Sequence, residues 1–295
     1  MPVKEVSAVS NPVVKSIRAL GLRKGRERQG AFLAEGLKLV VDAVERGWTV
    51  RTLVVARDAD ASPERQARVD ALAARIHASG GLVLRASRKV LEAVAKRDNP
   101  QAVMAVIEER RLAPDAIRPE RGACWLALDR CRDPGNLGSA IRTADALGAA
   151  GVILIGPSTD PFDREAVRAT MGSLFHVPVA AIPTEGFAAL AERFRARGGQ
   201  VVGTHLEGAV DHRAVDWRRS PVLLAMGNER EGLDPALAPL CDRLALIAMR
   251  AGRGADSLNL AVSTGIVLFE ARRHVLEGGA SDGEAPVSPR KVPQC

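Results

Sequence analysis

The sequence predicts an α/β protein whose larger part is built on a mostly parallel sheet with helices on both faces. Short continuous apolar runs recur along the chain, helical patterns separate them, and the alternation breaks only once, at ERRLAPDAIRPERG (109–122). A length of 295 residues suits two domains. The break carries two prolines and a cluster of charges and reads as the linker between a smaller α/β domain, residues 1–108, and a larger one, residues 123–277.

Each element follows from local pattern. Ser10 and Asn11 ahead of Pro12 start a helix whose apolar stripe is Val13, Val14, Ile17 and Leu20. Leu37, Val40, Val41 and Val44 predict a second helix ending at Gly47, and RTLVVA (51–56) a buried strand. A helix near 63–78, a strand at Gly81–Leu84, a helix near Ser87–Lys96 and the strand QAVMAVIE from 101 complete the first domain. Beyond the linker come the strand CWLALD, a turn and helix at 133–148, the strand GVILIG (151–156), a helix near 163–170 and the strand HVPVAAI (176–182). A helix near 186–197 then leads to the strands QVVGTHL (200–206), PVLLAMG (221–227) and RLALIAM (243–249), and a last helix runs from Leu258 to about Val275. The tail 278–295, rich in Gly, Pro and Ser, reads as disordered.

Composition narrows the functional classes. With 46% hydrophobic and 26% charged residues the chain is an ordinary globular protein. No apolar run approaches the roughly 20 residues that cross a bilayer, and MPVKEVSAVS lacks a signal-peptide core, so a cytoplasmic protein without a membrane partner is expected. Cys124, Cys131, Cys241 and Cys295 form no CxxC pair and the five histidines are scattered, so neither a metal site nor a disulfide framework is expected. Cys124 and Cys241 read as small buried hydrophobes, with a nucleophilic cysteine left open.

The net charge of +7 is N-terminal: residues 1–111 hold 21 Lys and Arg against 13 Asp and Glu, and the remainder 21 against 22. Lys15, Arg18, Arg23, Lys24, Arg26 and Arg28 are opposed only by Glu27. Such a run is either a solvated helix face or a surface for a phosphate backbone. With no tyrosine and nine aromatic residues in all, base stacking on exposed rings is not the main mode of any nucleic-acid binding.

Three stretches place polar residues at strand ends, where α/β sheets hold ligands. DPGNLGSAIRTADALG (133–148) lacks both the GxGxxG and the P-loop pattern; what it offers is Asn136, able to cap the helix or bond a ligand, and Arg142 almost two turns further on and near the same face. In AMGNEREGL (225–233) a strand ends at Gly227, which would let a flat ligand approach the backbone, and Glu229, which alone would pass for a solvated loop acid. In IAMRAGRGADSLNLAVSTGIVLFEA (247–271), Asp256, Ser257 and Asn259 open a long apolar helix, and capping would explain them equally well. Three such ends on one sheet edge argue for a site.

Together these stretches resemble the three motifs of the SpoU (TrmH-like) RNA ribose 2'-O-methyltransferases of the SPOUT superfamily. VRATMGSLFHVPV (167–179) resembles the segment between the first two motifs, and SNPVVKSIRAL with FLAEGLKLVVDAV resembles the family's N-terminal substrate-binding domain. The resemblance implies a C-terminal domain tied in a trefoil knot, S-adenosylmethionine as methyl donor, and a homodimer. It matches Asn136, Arg142, Glu229, Ser257 and Asn259 to the family's polar catalytic positions, and Thr204, Leu206, Gly227, Ile247, Met249 and Leu258 to those that line the cofactor. The chain departs from the pattern at Ala248, where proline is usual, and in a loop before Ser257 about two residues longer than usual, which bears on Arg250 to Asp256.

Methyl transfer to a ribose hydroxyl is an in-line displacement, and alignment alone is worth roughly 7 to 11 kcal/mol. The resemblance makes Arg142 the residue that activates the hydroxyl. A guanidinium does not act as a base in proteins, so its role is to stabilise developing oxygen charge or to grip the adjacent phosphate. Glu229 then positions Arg142 or Asn136, and the proton leaves to water, to a phosphate oxygen or to Glu229. In this setting the basic run becomes an RNA-binding surface. Ribosomal RNA is the expected substrate, transfer RNA the close alternative, and a non-catalytic RNA-binding or ribosome-assembly protein the reading from another class.

Overall fold

The computed structural model describes residues 3–57, 62–207, 209–250 and 257–277. The expectations for Asp256, for most of the long third loop and for the tail 278–295 lie outside these residues. The α/β class holds, in two compact units that the chain enters more than once. The first unit comprises residues up to Leu112 together with Arg132–Arg142 and Thr159–Val179; the second comprises Ala113–Cys131, Thr143–Ser158 and, from Ala180, the rest of the described chain.

In the first unit the N-terminal elements are β1 (Lys4–Val6), α1 (Pro12–Ala19), α2 (Arg23–Gln29), β2 (Ala31–Glu35), α3 (Leu37–Glu45), β3 (Val50–Ala56), α4 (Pro63–Ala78), β4 (Leu82–Ala86), α5 (Arg88–Ala95) and β5 (Val103–Glu108). Asn11 starts α1 as its sequence suggests: its side-chain oxygen accepts the Val13 N–H at 2.9 Å, and Pro12 occupies the first turn. The sheet order is β1-β4-β3-β5-β2, with β1, β4 and β3 parallel and β5 antiparallel to both its neighbours. Val14 and Ile17 of α1 and Val90 and Val94 of α5 pack with Val54 and Leu84 of the sheet as one apolar cluster.

Three of these elements have no counterpart in the sequence reading. β1 and β2 carry no strand pattern of their own, although AFLAE of β2 is buried at every position. α2 forms inside the basic run because Gly25 lets it lie against α1: a Cβ there would stand 1.9 Å from the Ala19 carbonyl oxygen.

The remaining elements are β6 (Cys124–Asp129), α6 (Pro134–Ala146), β7 (Gly151–Ile155), α7 (Arg164–Ala169), β8 (Val179–Ile182), α8 (Gly186–Arg195), β9 (Gln200–Thr204), β10 (Val210–Asp211), β11 (Val222–Met226), β12 (Arg243–Leu246) and α9 (Leu260–Glu277). The second sheet has the order β10-β12-β9-β11-β6-β7-β8, and the β10/β12, β12/β9, β9/β11, β11/β6 and β6/β7 ladders are all parallel. Parallel pairing brings the carboxyl ends of β12, β9, β11 and β6 to one edge side by side. Arg272 of α9, nearly fully buried, donates to the Leu147 and Gly122 carbonyls at 3.1 and 2.9 Å, which fixes the helix in its own unit.

The cysteines that fall in this sheet's surroundings are structural. Burial pushes the Cys124 thiol up to about 12, and burial followed by the neighbouring Asp242 carboxylate pushes that of Cys241 up to about 12. Both are thiols, not thiolate nucleophiles, at neutral pH. Cys241 also fills the place of a side chain on β9, its sulfur lying 2.7 Å from where a Cβ on Gly203 would be.

Candidate active site

In the first unit the candidate residues are Asn136 and Arg142 on α6. The cap of this helix is Asp133, not Asn136: the Asp133 carboxylate accepts the Asn136 N–H at 2.6 Å and its carbonyl accepts the Leu137 N–H at 3.1 Å. Asn136 therefore lies inside the first turn, and the helix start does not require its side chain. Six residues of helix rotate by about 600°, so Arg142 stands about 120° round the axis from Asn136 rather than on the same line. Both lie off the buried stripe of Leu137, Ala140, Ile141 and Ala144, and Arg142 is exposed. Gly138 is where α6 meets α7: a Cβ there would stand 2.5 Å from both the Ala166 carbonyl oxygen and the Ala169 side chain.

The second unit holds the other candidates. Thr204 ends β9 and ties it to β11 as both leave the sheet: its hydroxyl accepts the Gly227 N–H at 3.2 Å and donates to the Ala225 carbonyl at 3.4 Å. Leu206, Met249 and Leu258 follow the ends of β9 and β12 and precede α9, and they are 75%, 41% and 38% exposed. Ile247 continues β12 and is half-buried. Exposed apolar side chains past the carboxyl ends of parallel strands suit the flat face of a purine. The residues present therefore fit the adenosine part of S-adenosylmethionine.

Gly227 has a different reason from the one the sequence suggested. The space that a Cβ would occupy is filled by the chain itself, 2.2 Å from the Leu233 nitrogen and 2.4 Å from the Gly232 carbonyl carbon. The chain turns back there, with Asn228 and Gly232 exchanging backbone hydrogen bonds of 2.9 Å. Glu229 is exposed in this turn, and Ser257 and Asn259 are exposed ahead of α9. Asn259 caps α9, its side-chain oxygen accepting the Ala261 and Val262 N–H groups at 2.9 and 3.3 Å. That capping explains its position without any substrate contact.

Sequence reasoning passed over the residues that hold the second turn in place. Asp129, fully buried at the end of β6, accepts from the Arg130 side chain and from the Asp234 N–H at 2.9 Å. Arg130, in a left-handed conformation with φ 47°, also binds Glu231 and the Gly232 carbonyl. Asn228 donates its side-chain amide to the Arg130 carbonyl at 2.8 Å and accepts the Arg230 N–H at 2.9 Å. Two loops far apart in sequence are thereby joined. The available signal was an aspartate closing an otherwise apolar strand at the ligand edge of the sheet.

The basic run needs one correction. Lys15, Arg18, Arg23, Lys24 and Arg28 are exposed, with Arg23 paired to Glu27 at 2.8 Å, but Arg26 is only 3% exposed and forms an ion pair with Asp160 at 2.8 Å. A side chain enclosed in this way has no access to RNA. Among the described residues no group of three or more His, Cys, Asp or Glu side chains is placed to hold a metal ion, and no helix is long and apolar enough to cross a membrane.

Known proteins resemble this chain over most of its length. Residues 123–269 match the SpoU rRNA Methylase family and residues 11–105 an MRM3-like substrate binding domain. The chain is 36% identical to the 23S rRNA (uridine(2479)-2'-O)-methyltransferase of Streptomyces viridochromogenes, over 88% of each chain. It is 29% identical to a 23S rRNA (guanosine(2553)-2'-O)-methyltransferase of Bacillus subtilis, over 92% of this chain and all of the relative. Among solved structures, the AdoMet-bound rRNA methyltransferase from Sinorhizobium meliloti superposes with a TM-score of 0.84 at 50% identity, covering 92% of this chain and 98% of its own.

Proposed function

We propose, from the premise that the chain belongs to the SpoU rRNA methylase family, a reaction in which Arg142 and Asn136 of α6 act on the target ribose. The protein is an S-adenosylmethionine-dependent RNA 2'-O-methyltransferase acting on ribosomal RNA. What supports this reading is the exposed pair Leu206 and Met249 just past the carboxyl ends of the parallel strands β9 and β12, with Leu258 exposed ahead of α9. Thr204, Leu206, Gly227, Ile247, Met249 and Leu258 would hold the cofactor, which supplies an activated methyl group on a sulfonium leaving group.

The protein's own work is alignment and charge. Arg142 stabilises the ribose oxygen as negative charge develops on it or holds the neighbouring phosphate, and Asn136 orients the hydroxyl. Glu229 is assigned a positioning role. Ser257 contacts the substrate, while Asn259 keeps the start of α9 in place. We assign substrate binding to residues 1–108 and methyl transfer to 123–277, in a cytoplasmic enzyme whose methyltransferase domain is knotted. The protein works as a homodimer, an arrangement supported by Val262 and Phe269, which expose apolar surface on α9.

Mapping 2'-O-methyl sites in total RNA from cells with and without the protein tests the activity. One ribosomal RNA nucleotide is expected to lose its methyl group in the deletion; an unchanged map would overturn the reading, and a transfer RNA site would redirect it. The RNA surface gives a second expectation. Affinity for ribosomal RNA falls steeply with salt, and reversing Lys15, Arg18, Lys24 and Arg28 to Glu lowers the slope of log K against log salt by roughly 0.7 to 0.9 for each phosphate that is no longer neutralised. An unchanged slope in filter-binding titrations would remove this surface from the RNA path.

A further inference from the structure

The first unit contains a buried charged cluster that methyl transfer as described above does not use. Arg26 of α2 directs its Nε and Nη2 to Asp160 Oδ2, both at 2.8 Å, places Nη2 at 3.6 Å from Asp163, and donates Nη1 to the Leu20 carbonyl, just after α1, at 3.1 Å. The other oxygen of Asp160 accepts the Phe162 N–H at 3.1 Å and Arg111 Nη2 at 2.9 Å. Every donor and acceptor that sets the orientation of this pair is engaged. Asp163 in turn caps α7 by accepting the Glu165 N–H at 2.9 Å, so the cluster ends directly on the first turn of that helix.

A buried ion pair of this kind gains little net stability over a well-packed apolar pair, because desolvation offsets most of the attraction. What it supplies is direction. On one side of Arg26, the exposed Lys24 and Arg28 belong to the basic surface; on the other, α7 makes its close crossing with α6 at Gly138, between Asn136 and Arg142. Arg164 of α7 adds a second tie by donating to the Val94 and Ala95 carbonyls at the end of α5. The two surfaces that must be in register, one holding RNA and one acting on a single ribose, are thus connected through α7.

We propose that Arg26 and Asp160 are positioning residues for methyl transfer: their buried pair locks the basic helix α2 to α7, and through α7 sets α6 with its Asn136 and Arg142. The proposal rests on the functional reading above and adds to it a residue pair that touches neither RNA nor cofactor. A docked RNA then presents its ribose at a fixed offset from α6, and loosening the pair misaligns the ribose while the RNA stays bound.

The test compares two proteins at full length on ribosomal RNA with S-adenosylmethionine: wild type and the apolar replacement Arg26→Met with Asp160→Leu. The apolar replacement is expected to melt somewhat lower, since it leaves the Leu20 carbonyl and the Phe162 N–H without these partners, to keep its RNA affinity and its cofactor affinity, and to lose about 10- to 100-fold in single-turnover rate below the transition. If the apolar replacement does not fold, Asp160→Asn is read in the same way, with Arg26→Lys expected to restore part of the rate. A folded variant that methylates at the wild-type rate, or that loses only melting temperature or only RNA affinity, overturns the proposal. Failure of the wild type to methylate strikes the functional reading instead.

Discussion

Arg142→Ala is expected to lower the single-turnover rate of ribose methylation by about 10²- to 10³-fold while leaving the fold intact. Arg142 is exposed on α6, outside the stripe of Leu137, Ala140, Ile141 and Ala144 that buries the helix, so its removal opens no cavity. Alanine is also the strongest helix former, so α6 keeps its geometry. In the role proposed for Arg142, what disappears is a fixed positive charge beside an oxygen that becomes negative only in the transition state, and removal of one such group typically costs that much in rate. Arg142→Lys keeps the charge but not the planar fork and should fall between the two. Transfer of labelled methyl from S-adenosylmethionine under single-turnover conditions reads the rate, and RNA binding is measured alongside. A loss confined to RNA affinity would make Arg142 a phosphate contact and transfer the charge-stabilising role elsewhere.

Much of this architecture is legible in the sequence because its physics is local. The strands of the second sheet are buried on both faces, so they appear as unbroken apolar runs, and the helices between them carry caps and stripes that can be counted. The elements that escape sequence reading lack local signals. α2 reads RKGRERQ and has no apolar stripe; it folds because Gly25 can touch Ala19 and because Arg26 finds Asp160, 134 residues away. β2 is preceded by that charged run and pairs antiparallel with β5, a partner that no pattern in AFLAE announces.

The candidate site divides in the same way. Polar residues at strand ends mark the three loops, but which polar atom does what depends on turns that spacing does not specify. The cap of α6 falls to Asp133, three residues before the asparagine that resembles one, because Pro134 already occupies the first helical turn. The basic run looks uniform in sequence, since sequence alone cannot tell an arginine facing solvent from one enclosed by a distant carboxylate. Asp129, Arg130 and Asn228 give no joint signal because they are neighbours only after β6 and β11 pair.

Gly227→Ala should be among the most damaging single-methyl changes in the second unit. The added Cβ would meet the backbone of Gly232 and Leu233 at 2.2 to 2.4 Å, and backbone cannot move aside as the end of a flexible side chain can. Relief requires opening the turn closed by the Asn228–Gly232 hydrogen bonds, which also carries Glu229 and is held from below by Asp129 and Arg130. Overpacking of this kind costs about 2–3 kcal/mol or more. The Gly227 N–H also donates to Thr204, so displacement separates the ends of β9 and β11 just where the cofactor's adenosine is expected. Two readouts are therefore coupled: a lowered melting temperature, and a loss of S-adenosylmethionine affinity measured by calorimetry below the transition. Thr204→Val provides the control, since it removes the hydroxyl that joins the strand ends but adds no atom to the turn. It should weaken cofactor binding with a smaller loss of stability, and wild-type cofactor affinity in both variants would move the binding site away from the ends of β9 and β11.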